Sequence, residues 1–137
     1  MILSKTSEYA VRILAYMVVN KHDKYNAKYL HEQLKIPYKY LTKLMTDLTK
    51  RGCVVSIQGR DGGFMLAKEP VEISLADIVE AVEGAEKFNG CILGFDDCSD
   101  ENPCALHYFW EKNKDRIISM MRNTTLEDLT KVNITKF

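Results

Sequence analysis

The sequence predicts a mostly α-helical chain with one small β-hairpin. Three observations carry that expectation. Apolar residues recur at helical spacing in successive segments; a glycine-rich run, Gly59-Arg60-Asp61-Gly62-Gly63, separates two short strand-like stretches; and a seam stepping by four and three residues runs along a late segment. A chain of 137 residues has room for one compact domain with an extension.

The first helix is predicted over residues 4–20, where Tyr9, Ile13, Leu14 and Met17 fall on one face. Asp23 and Asn26 mark a turn, with Asn26 as N-cap of a second helix over 27–34 that turns Leu30 and Leu34 inward. Pro37 opens a third helix, because proline is tolerated in a first turn. Its apolar face is Leu41, Leu44, Met45 and Leu48, its polar face carries Tyr38, Lys39, Thr42, Lys43, Thr46 and Lys50, and Gly52 closes it. Strands follow over 53–58 and 64–67, joined by the glycine-rich turn. Ser74 and Asp77 form a capping box for a fourth helix, with Leu75, Ile78, Val79 and Val82 inward and Gly84 at its end.

After a loop over 85–103, Pro103 precedes a long helix over 104–123. Leu106, Trp110, Asn113, Ile117 and Met120 make its heptad seam, which predicts pairing with a second copy, the alternative being packing against the chain's own first helix. Thr125 and Asp128 cap a last short helix. The order helix, helix, helix, hairpin is that of a winged helix-turn-helix. Its third helix would enter the DNA major groove, with the hairpin along the backbone.

Charge divides the chain in the same place. Residues 1–70 hold 12 Lys and Arg against 6 Asp and Glu, and residues 71–137 reverse the balance, so the net charge is zero. A basic half suits phosphates; an acidic half suits other work. The expected organisation is therefore a DNA-binding region over 1–70 and a regulatory, dimerising region over 71–137. In the docked arrangement Lys39, Lys43, Lys50 and Arg60 would meet phosphate, and Tyr38, Tyr40 and Thr42 base edges or sugar-phosphate.

The chemistry lies in the late loop, where Cys91, Cys98, Cys104 and His107 are spaced C-x6-C-x5-C-x2-H over residues 91–107. Soft thiolates on a flexible loop suit an iron–sulfur cluster or zinc. Zinc is the runner-up, since tight C-x2–4-C pairs are absent. A metal-free thiol switch joining Cys98 and Cys104 is third; Asp96, Asp97, Asp100 and Glu101 would raise thiol pKa and slow it. Placed on one helix face three residues after Cys104, His107 is a candidate fourth ligand. Cys53 stands apart and reads as a buried strand residue. The sequence has no nucleophile–base pair, phosphate loop or carboxylate dyad at motif spacing, so an enzyme is not expected. No apolar run reaches the ~18 residues of a membrane span, and Met1-Ile2-Leu3-Ser4-Lys5 has no signal-peptide layout, so a cytoplasmic protein is expected. A DNA-independent metal or redox module is the competing class, but it would need neither the basic half nor the glycine-rich turn.

The chain resembles the Rrf2 family of bacterial winged-helix regulators, which includes iron–sulfur regulators of the IscR kind and nitric-oxide-responsive repressors of the NsrR kind. The resemblance rests on Leu3-Ser4-Lys5-Thr6-Ser7-Glu8-Tyr9-Ala10-Val11-Arg12, on Tyr40-Leu41 with Leu44, on Gly59-Arg60-Asp61-Gly62-Gly63-Phe64-Met65-Leu66-Ala67, and on Thr124-Thr125-Leu126-Glu127-Asp128-Leu129. It implies a homodimer reading a roughly two-fold double-stranded operator, with a cluster loop controlling affinity. Cys91, Cys98, Cys104 and His107 resemble the ligand set of a 2Fe–2S cluster. Glu8 occupies the position where nitric-oxide-sensing relatives offer an acidic ligand from the opposite subunit to a 4Fe–4S cluster. Of the two, His107 and the 2Fe–2S cluster are preferred because the ligand is local. Two positions depart from the family: Gln58 stands where the wing often carries arginine, with Arg60 supplying charge nearby, and Thr42 stands where some members place glutamate to discriminate operators.

Overall fold

A computed structural model describes residues 3–84, 86 and 89–131. Helix α1 (Lys5–Asn20) starts where the Ser4 side chain accepts from the Ser7 N–H, and it buries Ala10, Ile13, Leu14 and Met17. Helix α2 (Ala27–Leu34) is capped by Asn26, whose side chain accepts from the Tyr29 N–H at 2.7 Å. Helix α3 (Tyr38–Arg51) begins after Pro37, which sits at the cap itself, one position earlier than a helical proline would. It ends at Gly52, whose φ of 85° is the left-handed conformation that favours glycine.

Strands β1 (Val54–Ile57) and β2 (Gly63–Leu66) pair antiparallel, Val54 opposite Leu66 and Ile57 opposite Gly63. β1 is shorter than the expected 53–58, because the Cys53 N–H leaves the ladder and donates to the Leu48 carbonyl at 2.9 Å, and β2 keeps the expected four residues but starts one earlier, at Gly63. The hairpin is also braced from outside. Tyr25 and Phe64 exchange two backbone hydrogen bonds of 2.9 and 2.7 Å, so the turn before α2 acts as a third, one-residue strand.

A 3-10 turn at Pro70–Glu72 leads to α4 (Leu75–Glu83), where the capping box of Ser74 and Asp77 forms in both directions. Helix α5 (His107–Asn123) is shorter than the segment 104–123, and α6 (Leu126–Lys131) starts at a second reciprocal cap between Thr125 and Asp128. The α4 and α6 starts are stitched together by Leu75 N–H to Thr124 O at 2.8 Å and Leu126 N–H to Ile73 O at 2.7 Å.

The main core joins α1, α2 and α3 to Ile73, Ile78 and Leu126, so it runs on past residue 70. A smaller cluster of Ala76, Val79 and Met121, with Ile117 and Ile118 against it, seats the C-terminal half of α5 on α4. Helix α5 therefore packs on α4 rather than along α1, the alternative that the seam had left open. Its N-terminal half extends beyond this cluster and carries the cysteine loop.

Candidate metal centre and nucleic-acid face

The polar face of α3 is open. Tyr38, Lys39, Lys43 and Lys50 are exposed and Thr42 is half-buried, while Leu41, Leu44, Met45 and Leu48 fill the core behind them. Several side chains of this face, Tyr40 included, are already engaged. Lys43 Nζ lies 2.7 Å from Asp47 Oδ1, one helical turn on. The Tyr40 hydroxyl hydrogen-bonds Thr6 Oγ1, and its ring meets Tyr9 edge-on at 5.5 Å, so Tyr40 ties α3 to α1 as well as facing outward. Thr42 Oγ1 donates to the Lys39 carbonyl at 2.9 Å.

In the hairpin, Gln58 and Arg60 are exposed, and Gln58 Nε2 bonds Ser56 Oγ at 3.2 Å. Lys24 adds a cation that sequence reasoning passed over: its Nζ donates to the Asp61 carbonyl at 2.8 Å and brings a positive charge to the turn. Only the close approach of a distant loop shows it. A built side chain on Gly62 would meet the Ile57 carbonyl oxygen inside van der Waals contact, which is why this turn needs glycine.

The three loop cysteines come together. All three Sγ atoms lie within 4.8 Å of one another, and Cys91 and Cys104 approach to 3.5 Å. A turn closed by Gly94 N–H to Cys91 O at 3.0 Å follows Cys91 directly. Backbone N–H groups already point at the sulfurs: Leu93 to Cys91 at 3.4 Å and Cys104 to Cys98 at 3.4 Å.

The expectation that the acidic loop would raise the thiols fails for Cys91, and Cys98, which is raised, owes this to other causes. For Cys91, desolvation pushes upward, but the Phe95 and Leu93 N–H groups and the Cys104 and Cys98 thiols outweigh it and lower the pKa to about 7. Cys98 moves the other way. The Cys104 N–H lowers it, but desolvation, hydrogen bonding to Cys104 and Cys91 and the charge on Cys104 raise it overall. Cys53 is buried at the start of the hairpin, and desolvation pushes its thiol up to about 11, as an inert core residue requires.

His107 is the first residue of α5, and Cys104 lies before the helix, so the two do not share a helix face as predicted. A turn instead joins them, with His107 N–H donating to Cys104 O at 3.2 Å. The imidazole is buried, its Nδ1 3.3 Å from Cys98 Sγ and its Nε2 2.9 Å from Asp100 Oδ1. Glu8 is exposed on α1 and pairs with Lys5 at 3.1 Å. Neither Glu8 nor His107 is among the groups whose ligand atoms all lie within 4.8 Å of one another, which are the three cysteines; His107 instead stands beside one of them, Cys98.

Trp110 seals the loop from beneath. It is 7% exposed, and its Nε1 donates to the Gly90 carbonyl at 2.8 Å. With Gly90, Cys91, Phe95, Cys98 and His107 it lines a cavity of about 350 Å³. Trp110 is therefore occupied by its own chain, contrary to its place in the predicted seam. Leu106, Asn113 and Met120 are exposed and Ile117 is half-buried; Phe109, 69% exposed, shares their face and was missed because it is off the heptad.

Two further contacts were also illegible in the sequence. The fully buried Ser7 hydroxyl of α1 donates to Glu83, the last residue of α4 before the cysteine loop. Asp100 reaches His107 only because the Ser99–Asn102 turn folds it back. No helix of the described residues is long and apolar enough to cross a membrane.

Comparison with known proteins decides the family. The family model Rrf2, "Iron-dependent Transcriptional regulator", matches residues 3–132. The chain belongs to the Rrf2 family. It is 40% identical over 134 residues to an HTH-type transcriptional regulator of Aquifex aeolicus, covering 96% of this chain and 93% of that one. The IscR regulator of Pectobacterium atrosepticum is 32% identical over 100 residues, 73% of this chain; the match spans 60% of that relative's length.

Among solved structures, CymR, the global cysteine regulator of B. subtilis, superposes with a TM-score of 0.73 at 28% identity, covering 96% of this chain and 97% of that one. The IscR of T. potens does so with a TM-score of 0.71 at 28% identity, covering 96% and 87%. The winged-helix architecture is thus that of Rrf2 regulators, which regulate transcription, bind DNA and are not enzymes. The cysteine triad fits a metal or cluster: three soft donors converge, with backbone N–H groups directed at the sulfurs of Cys91 and Cys98.

Proposed function

We propose that this protein is a cytoplasmic, homodimeric regulator whose affinity for a double-stranded DNA operator is controlled by an iron–sulfur cluster on the loop 91–107. The observation that carries this reading is the convergence of Cys91, Cys98 and Cys104 within 4.8 Å, on a chain whose other half is a winged helix. In this reading residues 1–70 read DNA and residues 71–137 sense and dimerise. Cys91, Cys98 and Cys104 supply three thiolates. His107 supplies the fourth donor to a 2Fe–2S cluster, the alternative being the partner subunit's Glu8 on a 4Fe–4S cluster. When bound, such a group supplies chemistry that responds to redox state, nitric oxide or iron supply.

The chain's own residues connect that loop to the reading head. Glu83, at the loop's entrance, accepts from Ser7, and Thr6 beside it and Tyr9 two residues on touch Tyr40 in the first turn of α3. On DNA, Lys39, Lys43, Lys50 and Arg60 meet phosphate while Tyr38, Tyr40, Thr42 and Gln58 lie nearest bases or sugar. The exposed face of α5, with Leu106, Phe109, Asn113, Ile117 and Met120, pairs with a second copy. Along it Leu106, Phe109 and Met120 are exposed, and a run of exposed apolar side chains marks an interaction surface. Two recognition helices must then sit about one DNA turn apart, ~34–36 Å, so a small change in their geometry abolishes binding.

The test is anaerobic purification followed by iron and acid-labile sulfide analysis, absorption and Mössbauer spectra, and operator binding before and after the iron is removed. Iron with sulfide, and a change in affinity on removal, are expected. Stoichiometric zinc, or operator binding indifferent to iron, overturns the reading.

A further inference from the structure

His107 is 8% exposed, yet both ring nitrogens have a polar neighbour, Cys98 Sγ at 3.3 Å from Nδ1 and Asp100 Oδ1 at 2.9 Å from Nε2. An ionised carboxylate only accepts hydrogen bonds. Nε2 must therefore carry the hydrogen, and a neutral ring then presents the Nδ1 lone pair on the side of the thiols. Metal-binding histidines characteristically hand their other N–H to a carboxylate in this way, which fixes the tautomer and makes the ring a stronger donor.

We propose that Asp100 is a positioning residue. It holds His107 as the Nε2–H tautomer and turns Nδ1 toward Cys98 Sγ, so that Nδ1 is the atom His107 would offer beside the three thiolates. This rests on the cluster reading above and adds to it an atom and a second residue.

The loop is built to place Asp100. Ser99 N–H donates to Asn102 O and Asn102 N–H to Ser99 O, both at 3.2 Å, closing a turn around residues 100 and 101. The Asn102 side chain ties that turn to Asp97 at 3.1 Å. The Asp100 side chain is 84% exposed, so solvent screens the pair, and its contribution is to orientation more than to stability. The rival donor, Glu8, is on α1 and paired with Lys5.

The experiment uses the full chain, loaded anaerobically with iron and sulfide and labelled with 15N-histidine. Wild type, His107→Ala, Asp100→Asn and Asp100→Glu are compared by metal analysis, by pulsed electron paramagnetic resonance of the reduced protein and by midpoint potential. A nitrogen coupling is expected in the wild type and absent from His107→Ala. In Asp100→Asn the coupling changes and the potential rises, because a weaker hydrogen bond makes the ring a poorer donor; Asp100→Glu restores part of both. Should Asp100→Asn load less iron, the loaded fraction is read. A wild-type coupling and potential in that fraction overturn the proposal, and so does a wild type with iron and sulfide but no nitrogen coupling. Failure of the wild type to hold iron at all identifies the cluster reading as the error.

Discussion

Replacing Lys43 by alanine isolates the docking of α3 on DNA. Lys43 projects from the open face of α3, and its ion pair with Asp47 is exposed on the lysine side, 69% against 16%. Such a pair on a helix contributes about 0.3–0.5 kcal/mol, so Lys43→Ala leaves the fold intact. A lysine on phosphate does more, because it releases condensed counterions. Each phosphate left without its cation flattens the slope of log K against log salt by about 0.9. Two heads on one operator leave two such phosphates, or about 1.8 in slope. Raising salt from 50 to 200 mM should then weaken the wild type about twelvefold more than the variant, by the same relation. Asp47→Asn is the companion change: it frees Lys43 from its intramolecular partner and should tighten binding at low salt. The assay is a salt titration of operator binding by fluorescence anisotropy, with urea melts as a check on folding. An unchanged slope in Lys43→Ala, with the variant folded, refutes the placement of α3 against the phosphates.

Three other substitutions test the scaffold. Gly62→Ala forces a methyl against the Ile57 carbonyl and should cost on the order of 1–3 kcal/mol in urea unfolding, with weaker operator binding as the hairpin shifts. Trp110→Phe removes the donor to Gly90 O while keeping most of the ring; a loss of about 1 kcal/mol and faster amide exchange in the cysteine loop are expected. For Asp77, partial burial pushes the pKa up, but the Ser74 N–H, the Ser74 hydroxyl and Arg51 outweigh it and hold the carboxyl below its usual value. Its contribution to stability is thus complete above the unfolded value near pH 3.8 and is lost as pH falls through the lower native value. Asp77→Asn should be less stable than wild type by about 1 kcal/mol at neutral pH, with the gap closing in acid, as followed by circular dichroism.

The elements were legible because their punctuation is local. Asn26, Ser74 with Asp77, and Gly52 each cap a helix through bonds within a few residues, so their sequence neighbours suffice. The hairpin was legible for the same reason, since its turn needs glycine whatever surrounds it. Its bracing by Tyr25 and Lys24 was not, because those bonds join segments 37 or more residues apart. The cysteines were legible as soft ligands by residue type alone. Their relative distances, the lowered thiol of Cys91 and the reach of Asp100 to His107 depend on turns within 91–104 that no periodicity describes.

The α5 seam shows where periodicity runs out. A helix stepping by four and three residues marks an apolar face, but two apolar faces a few tens of degrees apart give nearly the same steps. On α5 one face carries Trp110 and Met121, which the chain's own loop and α4 bury. The other carries Leu106, Phe109 and Met120, left open beside Asn113. The steps from Leu106 to Met120 pass through both, so the seam took in Trp110 and left out Phe109. What separates the two faces is the loop before the helix: Gly90 offers a carbonyl that takes the indole N–H of Trp110 on the inner face. The residue that seals the cysteine loop and the residues free to pair therefore stand on the same two turns of one helix. A change in the loop's packing on Trp110 would act directly on the base of the exposed stripe, through the shared backbone of α5.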